Sequence, residues 1–167
     1  ADIPLSSGIR LNPRISIRPA RPRDDAAKTA LYAEDDARPD GKSARAQDYV
    51  ALERIKIDAG YMDPFLVEVD GEPAGCFGLS RGRTLYRLKN LFAAPRFRGA
   101  GCGPAMVAFA ARLTRADHVG GLGVLAIAGG AGERLYARSG MKPIGVQTEY
   151  FRHLDRRSPG PLGGESS

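Results

Sequence analysis

The sequence predicts a mixed α/β domain around a mostly antiparallel sheet, and three observations predict it. In "FLVEVDGEPAGCFGLSRG" (residues 65–82) two β-type runs flank Asp70-Gly71, a hairpin signal that makes the first half of the sheet antiparallel. "LGVLAIA" (residues 122–128) is a continuous apolar run, the pattern of a strand buried on both faces. Between them, "PAMVAFAARLTRA" spaces Met106, Val107, Ala110 and Leu113 for the buried face of a helix.

In chain order, residues 1–14 form a tail and residues 15–155 a single domain, followed by a Pro-, Gly- and Ser-rich tail over 156–167. "RISIRP" alternates and is a short strand. Asp24 or Asp25 can cap a helix starting near Ala26, with Ala27, Ala30 and Leu31 on one face. A second helix opens at Ser43 and closes at Gly60, with Ala46, Tyr49, Val50, Glu53 and Ile57 on one stripe. The hairpin follows, then the strand "TLYRLKNLFAA", ending at Pro95. After the helix of residues 104–116 and the run at 122–128, "AGERLYARSG" is a short helix stopped by Gly140. "MKPIGVQTEYFRHL" supplies one or two last strands. The total is about six to seven strands and about four helices.

Composition narrows the class. The chain has 167 residues, 43% hydrophobic and 26% charged, ordinary values for a single globular domain. No apolar run approaches the ~20 residues of a membrane span, and no signal-peptide core is visible near the N-terminus. Cys76 and Cys102 make neither a disulfide framework nor, with His118 and His153, a metal-ligand spacing. Free thiols point to the cytoplasm, and no metal is expected. The net charge of +6 favours an anionic partner. The basic residues are scattered and lack aromatic interleaving, so a phosphorylated cofactor fits better than nucleic acid.

The most specific stretch is "NLFAAPRFRGAGCGPAMVAF" (residues 90–109), where a strand hands over to a helix. Gly99, Gly101 and Gly103 let the backbone come close to a ligand, and the first helical amides have no internal partner. With Arg96 and Arg98 beside them, these amides suit a pyrophosphate. A dinucleotide fingerprint needs G-x-G-x-x-G and a following acidic residue, and a P-loop needs G-x-x-x-x-G-K-[ST]; neither spacing is present. The plainer alternative is a glycine turn that only lets helix and strand pack.

The segment Arg98-Gly99-Ala100-Gly101-Cys102-Gly103 resembles the R/Q-x-x-G-x-G/A motif of the GNAT superfamily, the acetyl-CoA-dependent N-acetyltransferases. "LFAAPRFRGAGCGPAMVAF" is similar to that family's strand, proline, glycine turn and helix, "ERLYARSGMKPIG" to its later tyrosine-bearing segment, and "ISIRPARPRD" to its first strand and turn. The resemblance runs over roughly residues 15–152. It implies a GNAT-like sheet splayed between the fourth and fifth strands.

It also implies roles. The motif from Arg98 through Gly99, Ala100, Gly101, Cys102 and Gly103 would bind the CoA diphosphate, and Leu91, Phe92 and Ala93 the pantetheine arm and acetyl carbonyl. Tyr136 would be the general acid for the departing thiolate, its phenol being protonated at pH 7. Two departures stand out. Pro104 removes one amide from the helix's first turn, and "AGGAGE" lacks the asparagine common at the start of the later helix. Cys102 reads as a small buried hydrophobe rather than a nucleophile. Tyr86 is a candidate base or substrate contact, and the Glu34-Asp35-Asp36 cluster a candidate site for drawing in a cationic substrate.

The expected function is transfer of acetyl from acetyl-CoA to a primary amine, of a small molecule, in a ternary complex. The partners are acetyl-CoA and that amine, with no membrane and with a homodimer left open. A non-catalytic CoA-binding sensor or interaction module is the alternative.

Overall fold

A computed structural model describes residues 12–35, 44–148 and 150, with the side chains of Asp35 and Ala44 not described. Alternation along the central strands sets its layers. Phe65, Val67 and Val69 join a core with Phe77, Leu79, Leu88, Met106 and Val107, while Leu66, Cys76 and Ala94 pack with Leu31 in a second cluster. The two clusters lie on opposite faces of one sheet, which is why its middle strands are apolar at nearly every position.

The sheet comprises β1 (Ile15–Pro19), β2 (Asp63–Val69), β3 (Glu72–Arg81), β4 (Tyr86–Ala93) and β5 (Leu122–Gly123), in that spatial order. The first three pairings are antiparallel, and β4 with β5 is parallel. Helices α1 (Asp25–Asp35) and α2 (Ala44–Asp58) cover one face, and α3 (Cys102–Ala116) covers the other. α4 (Ala131–Arg138) follows β5. Asp70-Gly71 is the β2–β3 turn, as its sequence predicts, and Arg14 ion-pairs with Asp70 across it.

Several expectations need correction. The described residues form five strands, against the six to seven predicted. The run "LGVLAIA" is strand only at Leu122–Gly123, and Leu125 (51% exposed) and Ile127 (85%) stand in solvent rather than between two layers. An apolar run indicates burial only where a neighbouring layer exists to cover it. Residues 141–148 carry no strand, and Ile144 and Val146 are almost fully exposed, because alternation needs a paired edge to become a ladder. Glu149 and residues 151–167, including His153 and the last part of the predicted strand, lie outside the described residues, as do residues 1–11, Asp36 and Ser43. Asn12, assigned by sequence to the tail, donates from Nδ2 to the Ala100 carbonyl at 3.1 Å.

The inward faces of α1 and α2 also differ from expectation. Leu31 is buried as expected, but Ala30 is exposed and Lys28 points inward in its place. On α2, Ala46, Val50 and Glu53 are buried as the stripe predicts, but Tyr49 is 54% exposed. Asp24 does not cap α1 directly. It accepts from Arg18 at 2.9 Å and from the Arg21 amide at 2.7 Å. The Arg18 hydrogen bonds hold its carboxyl down to about 2, against the opposing effect of burial. Asp25, one residue on, binds Arg54 of α2 at 2.7 Å and locks the two helices together.

Candidate active site

The glycine turn has the backbone that a phosphate cradle requires. Gly99 (φ 88°) and Gly101 (φ 96°) occupy the left-handed region, where a side chain is strained. Among the described residues, the amides of Gly99, Gly101, Cys102 and Gly103 have no backbone acceptor, whereas that of Ala100 is satisfied by Phe97 at 3.1 Å. Pro104 is the third residue of α3, so the helix start offers one amide fewer to an anion.

Gly103 has a different role. A Cβ there would stand 2.9 Å from Leu135 Cδ2, so its missing side chain lets α4 approach the first turn of α3. The packing explanation therefore holds for one of the three glycines. Cys102 is 2% exposed, and burial raises its thiol pKa, as suits a small core side chain. Arg96 is committed elsewhere: it ion-pairs with Glu34 of α1 and with Glu72 at 3.0 Å. Its guanidinium also covers the Phe97 ring. Arg98 is exposed on the turn.

Upstream of the turn, β4 is both split and bulged. Its pairing with β5 is confined to Tyr86↔Leu122 and Arg87↔Gly123, so the rest of β4 runs on without β5 beside it. This is the splay expected between the fourth and fifth strands. On its other side, the pairs Gly78↔Lys89 and Cys76↔Phe92 leave two steps on β3 opposite three on β4. The additional β4 residue lies at Asn90–Leu91, and Asn90 has φ 50°. Such a bulge turns ladder amides away from their partner strand.

A buried carboxylate holds that bulge. Glu53 of α2 is 3% exposed. Its Oε1 accepts from Asn90 Nδ2 at 2.8 Å and from the Tyr32 hydroxyl at 2.9 Å, and its Oε2 is ion-paired with Lys28 Nζ. The Cys76 thiol donates to the Tyr32 oxygen at 3.2 Å. Burial raises the Tyr32 phenol pKa, with Cys76 and Glu53 adding to it, and pushes the Cys76 thiol up to about 11. Both therefore remain protonated donors at neutral pH.

In front of this cluster lies a cavity of about 300 Å³. Its walls are Tyr32 of α1, Arg45, Ala46 and Tyr49 of α2, and Asn90, Leu91 and Phe92 of the bulge. Leu91 and Phe92, which the family resemblance assigns to the pantetheine arm and acetyl carbonyl, line it, and the other lining residues have no site assignment from the sequence. Glu53 carried a legible signal, since a charge on an otherwise apolar helical stripe requires a buried partner. Tyr32 and Arg45 carried none.

The remaining predicted residues are distributed as follows. Tyr136 of α4 is half-buried against the main core, and burial alone holds its phenol above its ordinary pKa. Tyr86 begins β4, about 23 Å along the strand from Ala93 at the usual rise. Its hydroxyl donates to Asp117 at 2.8 Å, and the ring sits in the core away from the cavity lining. The Glu34 carboxylate is occupied by Arg96, the Asp35 side chain is not described, and Asp36 lies outside the described residues.

No family model and no curated protein matches the chain by sequence. Solved structures do match its fold. A GCN5-related N-acetyltransferase from Ralstonia eutropha JMP134 is similar at a TM-score of 0.61 and 20% identity, over 82% of this chain and 98% of that one. A predicted acetyltransferase from Clostridium acetobutylicum, solved with acetyl-CoA, is similar at 0.56 and 12%, over 84% and 96%. The glucosamine-6-phosphate N-acetyltransferase of Arabidopsis thaliana is similar at 0.59 and 14%, over 82% and 97%. The β4 bulge, the β4–β5 split and the glycine turn are thus carried on a known scaffold: the chain has the fold of the GCN5-related N-acetyltransferases.

Proposed function

We propose that this protein moves an acetyl group from acetyl-CoA to a primary amine of a small molecule, by direct transfer in a ternary complex. The observation that supports this best is a continuity of backbone. A single chain segment, residues 90–103, supplies a bulged strand that β5 accompanies only at its start and then a turn in which, among the described residues, the amides of Gly99, Gly101, Cys102 and Gly103 have no backbone acceptor. Amides of the turn take the diphosphate, with Arg98 alongside. The end of β4, Leu91 to Ala93, pairs with the pantetheine arm as a missing strand would. An amide turned out at the bulge hydrogen-bonds the acyl oxygen as it gains charge. Tyr136 protonates the departing sulfur. A cavity of about 300 Å³ is at the small end of ligand sites and suits a metabolite.

A second reading, a CoA-binding module without turnover, draws on Pro104 and on the engagement of Tyr86 by Asp117. Calorimetric titration of acetyl-CoA into the protein, with NAD as control, tests the cofactor. Binding in the micromolar range, roughly −8 kcal/mol, with NAD silent, is the expected result. Absence of acetyl-CoA binding would reduce the glycine turn to packing and end both readings. Thiol release on addition of amines then separates enzyme from sensor.

A further inference from the structure

The charges around the cavity run opposite to those that a cationic substrate would need. Glu53, behind the rings, is fully used by Lys28, Tyr32 and Asn90. Glu34 is used by Arg96. Arg45, by contrast, lines the cavity and is exposed, and among the described residues no carboxylate pairs with it, Asp48 one turn along included. The first turn of α2 holds no acidic residue either. The same cavity is lined by three rings, with Tyr32 5.0 Å from Phe92 and 5.7 Å from Tyr49, centre to centre.

From this arrangement we infer that the acceptor is an α-amino acid with an aromatic side chain, its carboxylate on Arg45, its ring against Tyr32, Tyr49 and Phe92, and its amine at the Asn90–Leu91 bulge. This rests on the acetyl-transfer reading and specifies its substrate. Each recognition element has a physical basis. A guanidinium takes a carboxylate through paired hydrogen bonds. Tilted rings favour a further ring packed edge-to-face. A second cation, as in a polyamine, would find no open carboxylate among the described residues and would face Arg45.

The step balances without another reactant. The ammonium loses one proton to solvent, and its nitrogen attacks the thioester carbon. The C–N bond forms, the C–S bond breaks, and a second proton leaves the nitrogen. The thiolate takes a proton from Tyr136, and the second proton, passed through solvent, restores the phenol, giving CoA thiol and an N-acetylamino acid whose α-nitrogen no longer carries charge.

Thiol release by the full chain at saturating acetyl-CoA tests this with L-phenylalanine, phenethylamine and spermidine. Phenethylamine is phenylalanine without the carboxylate. L-Phenylalanine is expected to exceed phenethylamine in kcat/KM by about tenfold or more, with spermidine below both. Arg45→Gln is expected to bring the first ratio to within about twofold while leaving acetyl-CoA affinity unchanged. Equal use of phenethylamine and phenylalanine, a preference for spermidine, or an Arg45→Gln ratio identical to that of the parent would each overturn the inference. Calorimetric titration of L-phenylalanine into the CoA-free protein separates the two levels. If acetyl-CoA fails to bind but phenylalanine binds and Arg45→Gln weakens it, the transfer reading fails and the pocket assignment stands. If acetyl-CoA binds and phenylalanine neither binds nor reacts, the inference alone fails.

Discussion

Replacement of Glu53 by alanine is expected to destabilise the protein by about 3–5 kcal/mol, the range for breaking a buried ion pair from one side. Lys28 is 2% exposed, so its ammonium would be left in the core without a counter-charge. Asn90 and Tyr32 would lose their common acceptor at the same time. For a domain of this size the melting temperature should fall by about 6–20 °C. Denaturant unfolding of the single variant, of Lys28→Met and of Glu53→Leu with Lys28→Met measures the cause. The double variant should recover much of the loss, because an apolar pair of similar volume replaces two desolvated charges. A single Glu53→Ala loss within about 1 kcal/mol would mean that Lys28 escapes to water and that the pair is not the keystone described.

Tyr136→Phe carries the largest expected effect on rate. If the phenol protonates the departing sulfur, its removal should lower kcat by about 10²–10⁴-fold, the usual contribution of a positioned acid. Acetyl-CoA affinity should hold within about twofold, since the ring and its packing remain. The half-buried setting supports this choice. Burial disfavours the phenolate and is the sole cause of the raised pKa, so the proton is retained until a stronger base forms beside it. Single-turnover kinetics with the best amine would measure the step directly. A kcat within about threefold of the parent would leave Tyr136 a core residue and move the acid elsewhere.

The sequence was most legible where local chemistry and tertiary placement agree. Asp70-Gly71 can hardly be anything but a hairpin turn, and the glycine turn of residues 99–103 requires positive φ whatever surrounds it. For Tyr86 the position on β4 is readable in the sequence, but the hydrogen-bond partner is not. Asp117 lies beyond α3, and only the folded chain brings the two together. Glu34 reads as part of an acidic cluster, and Arg96 reads as part of the motif; their pairing across α1 and the turn changes the meaning of both. The bulge at Asn90 left no trace in the strand pattern, since "TLYRLKN" continues as if regular. The edge after β5 failed for the opposite reason. Its alternation is strong, but alternation states a preference and cannot name a neighbour.

The contact between Gly103 and Leu135 extends beyond this one molecule. Because a Cβ at 103 would meet the leucine at 2.9 Å, the two positions share a fixed volume. Among related chains they should vary together: a residue larger than glycine at the first calls for one smaller than leucine at the second. The third glycine of the motif then records the distance between two helices, while the first two record a left-handed turn of the backbone.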